Sequence, residues 1–580
     1  MASSEASPRV SGAARGSALV SAWRVALTAV AGLVWVAALV LQARVVITRG
    51  RGSYDLGYDD VVYALAGKRA VAGVASDGFS TTVGDWVGTP PHAPFLEAYS
   101  FVVQWIFGAQ QDALYVSLAA LLGVGTILFA TAFAATWFMR FAIAAALAAS
   151  PLGFLTTNEY RPDVFYVLIA MSTIAYTARM VLRGSHGHPG ARFLPSVCLG
   201  VALLFLKPPW ILLTVGTFIG LLAAVIVFSL RGAVGDGIGD RARGFLRTLW
   251  VTVRLPALLL LVAAVVWSFW LGRSTYDYLF GARDHPYFFA ASASEALHQT
   301  YDSTMAYLGG TAITGIYVAL CIAVGIVVLL IAHFGFGRRQ VIDLVAVCMP
   351  LLSIVFVILA TAAAQHPSPF QGIFIYGVLA VVSTSVLAYC LIGGRRILPS
   401  RFRYPTTVLT GLVLMGIAGL FFLHGQPVRG VPALFASPYR AETSVARAIA
   451  AACAPRSDAT AESSMGTGEV TVLVAPIEDM AWEGVEYYLP ETAAAGRTFV
   501  VRSPNPMISA SDELIALAES TDFVVVSPNN YEANRIPSNL LLHDLYEGLL
   551  RDPEYGEVPT GLPANSYAVF QKRTACDPRS

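Results

Sequence analysis

The sequence predicts a polytopic α-helical membrane protein that carries a small α/β domain at its C-terminal end. Of its 580 residues, 56% are hydrophobic and only 13% are charged, which is far from the composition of soluble domains. Several apolar runs reach the roughly 18 to 20 residues that cross a bilayer as a helix. After residue 425 the pattern changes, and short strand-like runs alternate with helical stretches.

The apolar runs predict eleven transmembrane helices. We place them at residues 24–46, 114–137, 140–157, 163–182, 193–206, 210–229, 250–272, 309–333, 341–363, 372–393 and 406–424. With a cytoplasmic N-terminal tail at residues 1–23, all the arginine clusters between spans lie on the cytoplasmic side, as the positive-inside rule requires. These clusters are Arg179, Arg183 and Arg192; Arg231, Arg241, Arg243 and Arg247; Arg338 and Arg339; and Arg395, Arg396, Arg401 and Arg403. Residues 24–424 form the predicted membrane domain.

The same topology places the first loop, residues 47–113, on the outer face together with residues 425–580. It requires that the amphipathic segment at residues 93–108 does not cross the bilayer, and Tyr99 and Trp105 suit a helix at the headgroup level. The Ala-, Val- and Arg-rich usage and the short loops indicate a bacterial inner (plasma) membrane. We therefore expect function on the periplasmic or extracellular side.

The C-terminal segment contains four strand-like runs, "EVTVLVAP", "RTFVVRSP", "TDFVVVSP" and "SYAVFQKR". Strands that alternate with helices predict a largely parallel sheet. The sequence of this segment has no glycine-rich phosphate loop, no nucleophile elbow and no metal-spaced His or Cys, so we expect a binding or scaffolding module. Cys453 and Cys576 bracket the segment, and they can form a disulfide if it lies outside the cytoplasm.

Two adjacent carboxylates, Asp59 and Asp60, follow the first apolar run in the stretch "YDLGYDDVVYALAGKRAVAG". One interpretation is a helix cap and a first-turn residue, where free amide groups and the helix dipole favour negative charge. The other is a general base, because a carboxylate in a site walled by helices can keep a raised affinity for a proton. The residues alone leave both open.

Three segments of the membrane domain form an ordered set. After Asp59 and Asp60 the first loop carries Tyr63, "GDW", a Pro-Pro pair and a closing "FG"; "NEYRPD" and "LFLKPPW" follow at the predicted fourth and fifth spans. In order and position this set resembles the GT-C glycosyltransferases, in particular the branch of lipid A aminoarabinose transferases and protein O-mannosyltransferases. The resemblance covers about the first 210 residues.

The resemblance implies an inverting transfer of a sugar from a polyprenyl-phosphate donor to a hydroxyl of a glycan, lipid or protein acceptor. By position, Asp59 is the expected catalytic base, and Asp60 is expected to orient the acceptor. For the leaving phosphate the candidates are Lys207 and Arg161. His92 stands where the family usually has a lysine, so either His92 donates to the phosphate or Lys207 and Arg161 carry that task. The two carboxylates also suit a divalent cation, and whether they hold one stays open.

Each of these residues also has a structural explanation. Lys207 can extend to the interface as a snorkelling side chain, and Arg161 can pair with Glu159 or Asp163. Further candidates for the substrate cleft on the outer face are Tyr63, Glu159, Asp163, Asp284 and His285. A solvated loop tip is the alternative for the last two, and Glu97 on the interfacial segment is ambiguous.

Other function classes remain as alternatives. A transporter would place ionisable residues near mid-membrane on broken helices, whereas the charges here lie at the outer ends of the spans. A non-catalytic scaffold, or another GT-C type such as an arabinofuranosyltransferase or an oligosaccharide ligase, would also fit the composition. A net charge of +1 indicates no nucleic-acid partner. The sequence does not specify the sugar or the acceptor.

Overall fold

The structure is a computed structural model that describes most of the chain. The described residues are 11–50, 52, 55–56, 59–88, 93–150, 153, 160, 162–183, 194–206, 211–230, 237–276, 292–307, 338–365, 374–375, 378–379, 381–382, 385–386, 400–424, 440–454, 469–477, 480–489, 498–530, 536–563 and 566–576. The helices before the C-terminal domain are α1 (Ser11–Arg49), α2 (Asp59–Asp77), α3 (Phe79–Gly88), α4 (Pro94–Phe107), α5 (Gln111–Phe133), α6 (Trp137–Ala149), α7 (Pro162–Arg183), α8 (Leu194–Leu206), α9 (Ile211–Ser229), α10 (Ile238–Trp270), α11 (Gly272–Tyr276), α12 (Ala293–Tyr307), α13 (Arg338–Cys348), α14 (Leu352–Ala364) and α15 (Ser400–His424).

Several of these helices have the length and apolarity of membrane spans. Within the described part of the chain, four pass both criteria: Ser21–Thr48, Gln111–Phe133, Ile211–Ser229 and Val341–Ala363. A bent pair, Ile238–Leu255 and Ala257–Trp270, would make a fifth. Pro256 stands between the two parts, and a proline bends a helix because it cannot donate the helical hydrogen bond. Shorter apolar helices occupy four other predicted spans: Trp137–Ala149, Phe165–Val181, Leu194–Leu206 and Thr407–Leu420.

These helices make the chain a membrane protein, as the sequence predicts. The predicted span at residues 309–333 and most of the span at 372–393 lie outside the described residues. The total of eleven spans therefore stays a prediction.

The first loop is helical around its "GDW" motif, which lies within α3. Trp86 of this motif packs edge-on against Trp270, with 5.7 Å between ring centroids, and Trp270 Nε1 donates to the Val87 carbonyl at 3.0 Å. These contacts fix α3 to the end of α10.

Helix α4 is the amphipathic helix expected at the outer interface. It buries Leu96, Ser100, Val103 and Gln104 on one side. On the other side it exposes Phe95, Trp105, Ile106 and Phe107. A helix with this division has an apolar face available for the boundary region of a bilayer while its other face packs on protein.

The C-terminal segment forms a five-stranded sheet with helices around it. Its elements are α16 (Ala441–Ala452), β1 (Glu469–Val474), α17 (Trp482–Tyr488), β2 (Thr498–Arg502), α18 (Ser511–Glu519), β3 (Phe523–Val526), a 3₁₀ turn (Pro537–Leu541), α19 (Leu542–Arg551), β4 (Tyr555–Val558) and β5 (Ala568–Lys572). The strand order is β2-β1-β3-β5-β4. All four residues of β3 are buried, because apolar layers cover both faces of the sheet.

The prediction of a largely parallel sheet is wrong for one side of it. Strand β1 is parallel to β2 and β3, but β5 is antiparallel to both β3 and β4, and β4 is a strand that the sequence pattern did not reveal. The connection from β4 to β5 spans only residues 559–567. A crossover between parallel strands needs about a dozen residues or more, so this short connection makes β5 antiparallel to β4. Strand β5 lies between β4 and β3.

A disulfide joins Cys453 to Cys576, whose Cα atoms are 5.2 Å apart and which are separated by 123 positions in the sequence. It ties the end of α16 to the chain just after β5. A bond that closes so long a loop restricts the unfolded domain strongly.

Candidate functional site

Helix α2 begins at Asp59, and the next residue, Asp60, is completely buried. Asp60 Oδ2 accepts a hydrogen bond from the Tyr115 hydroxyl of α5 at 3.0 Å. Tyr63, about one turn further along α2, is buried as well. The free N–H groups and the dipole of a helix start favour negative charge, so the local structure explains why carboxylates are placed here. The burial of Asp60 goes beyond what a cap requires.

Helices α2 and α4 approach each other closely at Gly67. A Cβ atom added there would lie 2.7 Å from the backbone carbonyl carbon of Ser100, so the contact requires glycine. Beside it, Gln104 Nε2 donates to the Ala64 carbonyl at 2.6 Å and to the Ser100 hydroxyl at 2.9 Å. The two helices of the first loop are therefore held in a defined register next to Asp60.

We expect Gly67→Ala to destabilise the protein by about 1 to 3 kcal/mol, because the added methyl group overpacks a contact with backbone atoms that cannot rotate away. Thermal unfolding of the detergent-solubilised protein measures the effect. Gly84→Ala is the matched control, since a Cβ at Gly84 meets nothing within 4 Å. Equal unfolding temperatures for the two variants would contradict the close approach of α2 and α4.

The segment that resembles the fourth-span motif contributes Tyr160, which is completely buried. Burial raises the pKa of Tyr160 far above its ordinary value, and the nearby Ser100 hydroxyl opposes part of the rise. Tyr99, Tyr487 and Asp60 are close enough to raise this pKa further. The phenol therefore stays protonated, and it can donate a hydrogen bond at any pH near neutrality.

The C-terminal domain docks on α2 through its short helix α17. Lys68 Nζ donates to the carbonyl oxygens of Tyr487 at 2.9 Å and Leu489 at 3.4 Å, at the end of α17 where the helix dipole favours a cation. Arg69 donates hydrogen bonds to both carboxylate oxygens of Glu486, from Nε at 2.9 Å and from Nη2 at 2.7 Å. Because the Arg69 side chain is 56% exposed, that ion pair contributes at most about 1 kcal/mol. Lys68 and the burial of α17 therefore matter more for the docking.

A second contact joins the C-terminal domain to the chain just before α2. Asp55 is 4% exposed and accepts hydrogen bonds from the amide of Thr443 at 2.8 Å and from its hydroxyl at 2.7 Å. Thr443 lies in the first turn of α16, where amide groups lack partners within the helix, so Asp55 caps a helix from almost 400 residues away. Nearby, the Tyr488 hydroxyl accepts from the Leu56 amide and donates to Gln111 Oε1, both at 2.7 Å.

Glu97 is a carboxylate of α4 in a poorly solvated position. Burial raises its pKa to about 7, and the amide of Ala93, 3.5 Å from Oε1, lowers it only slightly. Glu97 therefore exchanges a proton close to neutral pH.

We expect the stability of the protein to fall as the pH rises from about 4.5 to 7, because the folded state holds the Glu97 proton that the unfolded state has already lost. Burying the charge costs about 3 kcal/mol at higher pH, at about 1.4 kcal/mol per pKa unit. Glu97→Gln should remove this part of the slope in a pH series of thermal unfolding. Asp85→Asn, at an exposed carboxylate of α3, is the control and should leave the slope unchanged. An unaltered slope in Glu97→Gln would refute the assignment.

The structure brings Asp60, Tyr63 and Tyr160 into one buried region. Asp59 and Asp163 are described as helix positions, in the first turns of α2 and α7. The other predicted site residues lie outside the described residues: His92, Glu159, Arg161, Lys207, Asp284 and His285. The assignments of base and phosphate ligands therefore stay predictions. Among the residues that the structure describes, no three His, Cys, Asp or Glu side chains could hold a metal ion together, and the metal requirement stays open.

Sequence reasoning missed the residues that connect the site to the C-terminal domain. Asp55, Lys68 and Arg69 lie within the stretch that we singled out, but their partners are 388 to 421 residues away. The only local signal in the sequence was the pair of cations, Lys68 and Arg69, in a helix of the first loop. A pairing at that separation has no signature in one sequence.

Comparisons with known proteins identify the fold. No protein-family model and no curated protein sequence matches the chain. The crystal structure of ArnT from Cupriavidus metallidurans in the apo state matches with a TM-score of 0.51 and 16% sequence identity, over 95% of this chain and 98% of that one. The structure of the same protein bound to undecaprenyl phosphate matches with a TM-score of 0.50 and 14% identity, over the same shares. The chain has an ArnT-like fold, which confirms the predicted GT-C architecture.

Proposed function

We propose that this ArnT-like chain is a membrane glycosyltransferase that moves a sugar from a polyprenyl phosphate to a hydroxyl of an acceptor. The observation that carries the proposal is the likeness over 95% of the chain to ArnT, one structure of which has undecaprenyl phosphate bound. The described site supports the proposal chemically, because the helix that starts with Asp59 and Asp60 lies in one region with the buried phenols of Tyr63 and Tyr160. Tyr63 belongs to the first loop and Tyr160 to the "NEYRPD" segment, both of which resemble the family.

In the proposed reaction Asp59 takes the proton of the acceptor hydroxyl, and the oxygen of that hydroxyl attacks the anomeric carbon of the donor. The new carbon–oxygen bond forms as the bond from that carbon to the phosphate oxygen breaks, and the electron pair leaves with the polyprenyl phosphate. The anomeric configuration inverts. Lys207, Arg161 and His92 are the proposed groups that stabilise the charge on the leaving phosphate. Asp60, held by Tyr115, orients the acceptor.

The proposal includes a location. The site and the C-terminal domain, residues 425–580, belong on the periplasmic or extracellular face of a bacterial inner membrane. The distribution of arginines supports this orientation, because they gather on the opposite side of the spans. The acceptor is then a glycan, lipid or protein outside the cytoplasm.

The test is transfer by the purified full-length protein in lipid nanodiscs. It is incubated with membrane extract and with polyprenyl phosphates that carry radiolabelled mannose, glucose, galactose or arabinose. We expect one labelled sugar to move to an acceptor, with release of an equal amount of polyprenyl phosphate. A parallel sample with EDTA tests the need for a divalent cation. No transfer of any sugar, together with solute uptake into vesicles, would favour the transporter instead.

A further inference from the structure

Tyr487 belongs to helix α17 of the C-terminal domain, but its side chain is buried in the membrane domain. It is 5% exposed and lies in the apolar cluster that contains Tyr63 and Tyr160. Among the described residues of the C-terminal domain, it is the only buried member of that cluster. Its neighbour Val485 packs instead in the core of the sheet. The docked domain therefore buries the side chain of Tyr487 beside the candidate site.

The position of Tyr487 is fixed by its surroundings. Lys68 Nζ bonds to its carbonyl oxygen at 2.9 Å and lies 5.6 Å from the centre of its ring. The ring of Tyr488 meets it edge-on, with 5.1 Å between centroids. The hydroxyl, however, is buried and has no hydrogen-bond partner within the described part of the chain. Native proteins rarely bury a hydroxyl without a partner, so its place beside a substrate site points to a ligand.

The groups around Tyr160, which lies near Tyr487, indicate what kind of ligand the Tyr487 hydroxyl meets. The neighbourhood of Tyr160 contains the phenols of Tyr99 and Tyr487, the hydroxyl of Ser100 and the carboxylate of Asp60. The ammonium group of Lys68 is directed at backbone carbonyls. A carboxylate repels a phosphate group, whereas it accepts hydrogen bonds from sugar hydroxyls, and phenols donate to them. The chemistry therefore suits an uncharged sugar ring.

We propose that the Tyr487 hydroxyl hydrogen-bonds a hydroxyl of a substrate sugar, so that the C-terminal domain completes the substrate site of the membrane domain. This inference rests on the proposed function and assigns the domain a part in it. The ring belongs either to the donor or to the acceptor, since both can present hydroxyls there. Tyr487 is a binding residue, and it takes no part in proton transfer.

Tyr487→Phe removes only the hydroxyl and tests the proposal in the full-length protein. With the donor that the wild type uses, we expect KM for the donor or for the acceptor to rise about three- to tenfold, which is the loss of one hydrogen bond. The affinity for undecaprenyl phosphate, which has no sugar, should stay unchanged. The unfolding temperature without substrate should stay the same or rise, because no hydrogen bond within the protein is lost. Tyr546→Phe, in the C-terminal domain on the far side of the sheet, is the control.

The outcomes separate the two proposals. A rise in KM for the donor places the donor sugar at Tyr487, and a rise for the acceptor places the acceptor sugar there. Three results would each overturn the role of Tyr487 and leave the proposed glycosyltransferase function in place. In Tyr487→Phe these are binding of sugar-free undecaprenyl phosphate that weakens as much as KM rises, a fall in unfolding temperature, or no change in either KM. A wild-type protein that neither binds polyprenyl phosphates nor transfers sugar would overturn the proposed function and this assignment together.

Discussion

Asp59→Asn is expected to lower kcat of sugar transfer by about 10²- to 10⁴-fold, because an amide cannot take the proton of the acceptor hydroxyl. Asp60→Asn is expected to cost less than about tenfold. Asp60 accepts a hydrogen bond from Tyr115, and an amide oxygen can accept the same bond. The measurement is the initial rate of transfer from the active donor, with both variants at equal protein concentration.

The two substitutions control each other, since both replace a carboxylate by an amide at neighbouring positions of α2. Matching unfolding temperatures would show that the loss in Asp59→Asn is chemical. A folded Asp60→Asn variant that has lost all activity, beside an active Asp59→Asn variant, would reverse the roles of the two residues. Equal activity of wild type and Asp59→Asn would remove Asp59 as the base.

Asp55→Ala is expected to weaken the docking of the C-terminal domain by about 2 to 4 kcal/mol, because two hydrogen bonds to Thr443 are lost and α16 loses its cap. Burial raises the pKa of Asp55 overall, against the hydrogen bonds from Thr443 and the charges of Arg440 and Arg447, which lower it. Part of the energy of the hydrogen bonds to Thr443 therefore only offsets the cost of burying the Asp55 carboxylate. This keeps the expected loss of docking energy in Asp55→Ala moderate. Hydrogen exchange at the first turns of α16 measures the change.

Asp77→Ala is the matched control for Asp55→Ala, since it removes an exposed carboxylate from the end of α2. It should leave the exchange of α16 unchanged. The interpretation would be wrong if exchange in α16 were the same in both variants. If exchange increased throughout the sheet as well, Asp55 would support the whole domain rather than the contact.

Local patterns predicted much of the fold. Long apolar runs gave the spans of α1, α5 and α9, because the bilayer sets the length of a helix. Amphipathic spacing gave α4, and β-branched runs between polar turns gave β1, β2, β3 and β5. The strand β4, "YGEV", was missed because only one of its four residues is buried, so it lacks the alternation that marks a half-buried strand.

The sequence predicted the part of the candidate site that the membrane domain supplies, but not the part that the C-terminal domain supplies. Asp60, Tyr63 and the segment containing Tyr160 were singled out from the sequence, and the structure places all three in one buried region. The contribution of the C-terminal domain was not predictable, because the bonds of Asp55, Lys68 and Leu56 reach across about 390 to 430 residues. No periodicity or propensity encodes a contact at that distance.

The sequence by itself determined that this chain spans a membrane, that a pair of carboxylates starts a helix in its first loop, and that a small α/β domain follows. These properties depend on hydrophobicity and on backbone preferences, which act locally. The tertiary structure alone decided that Asp60 is buried against Tyr115, that Gly67 lets α2 and α4 touch, and that Tyr487 enters the membrane domain. Such contacts depend on the packing of distant surfaces, where shape and burial select the partners.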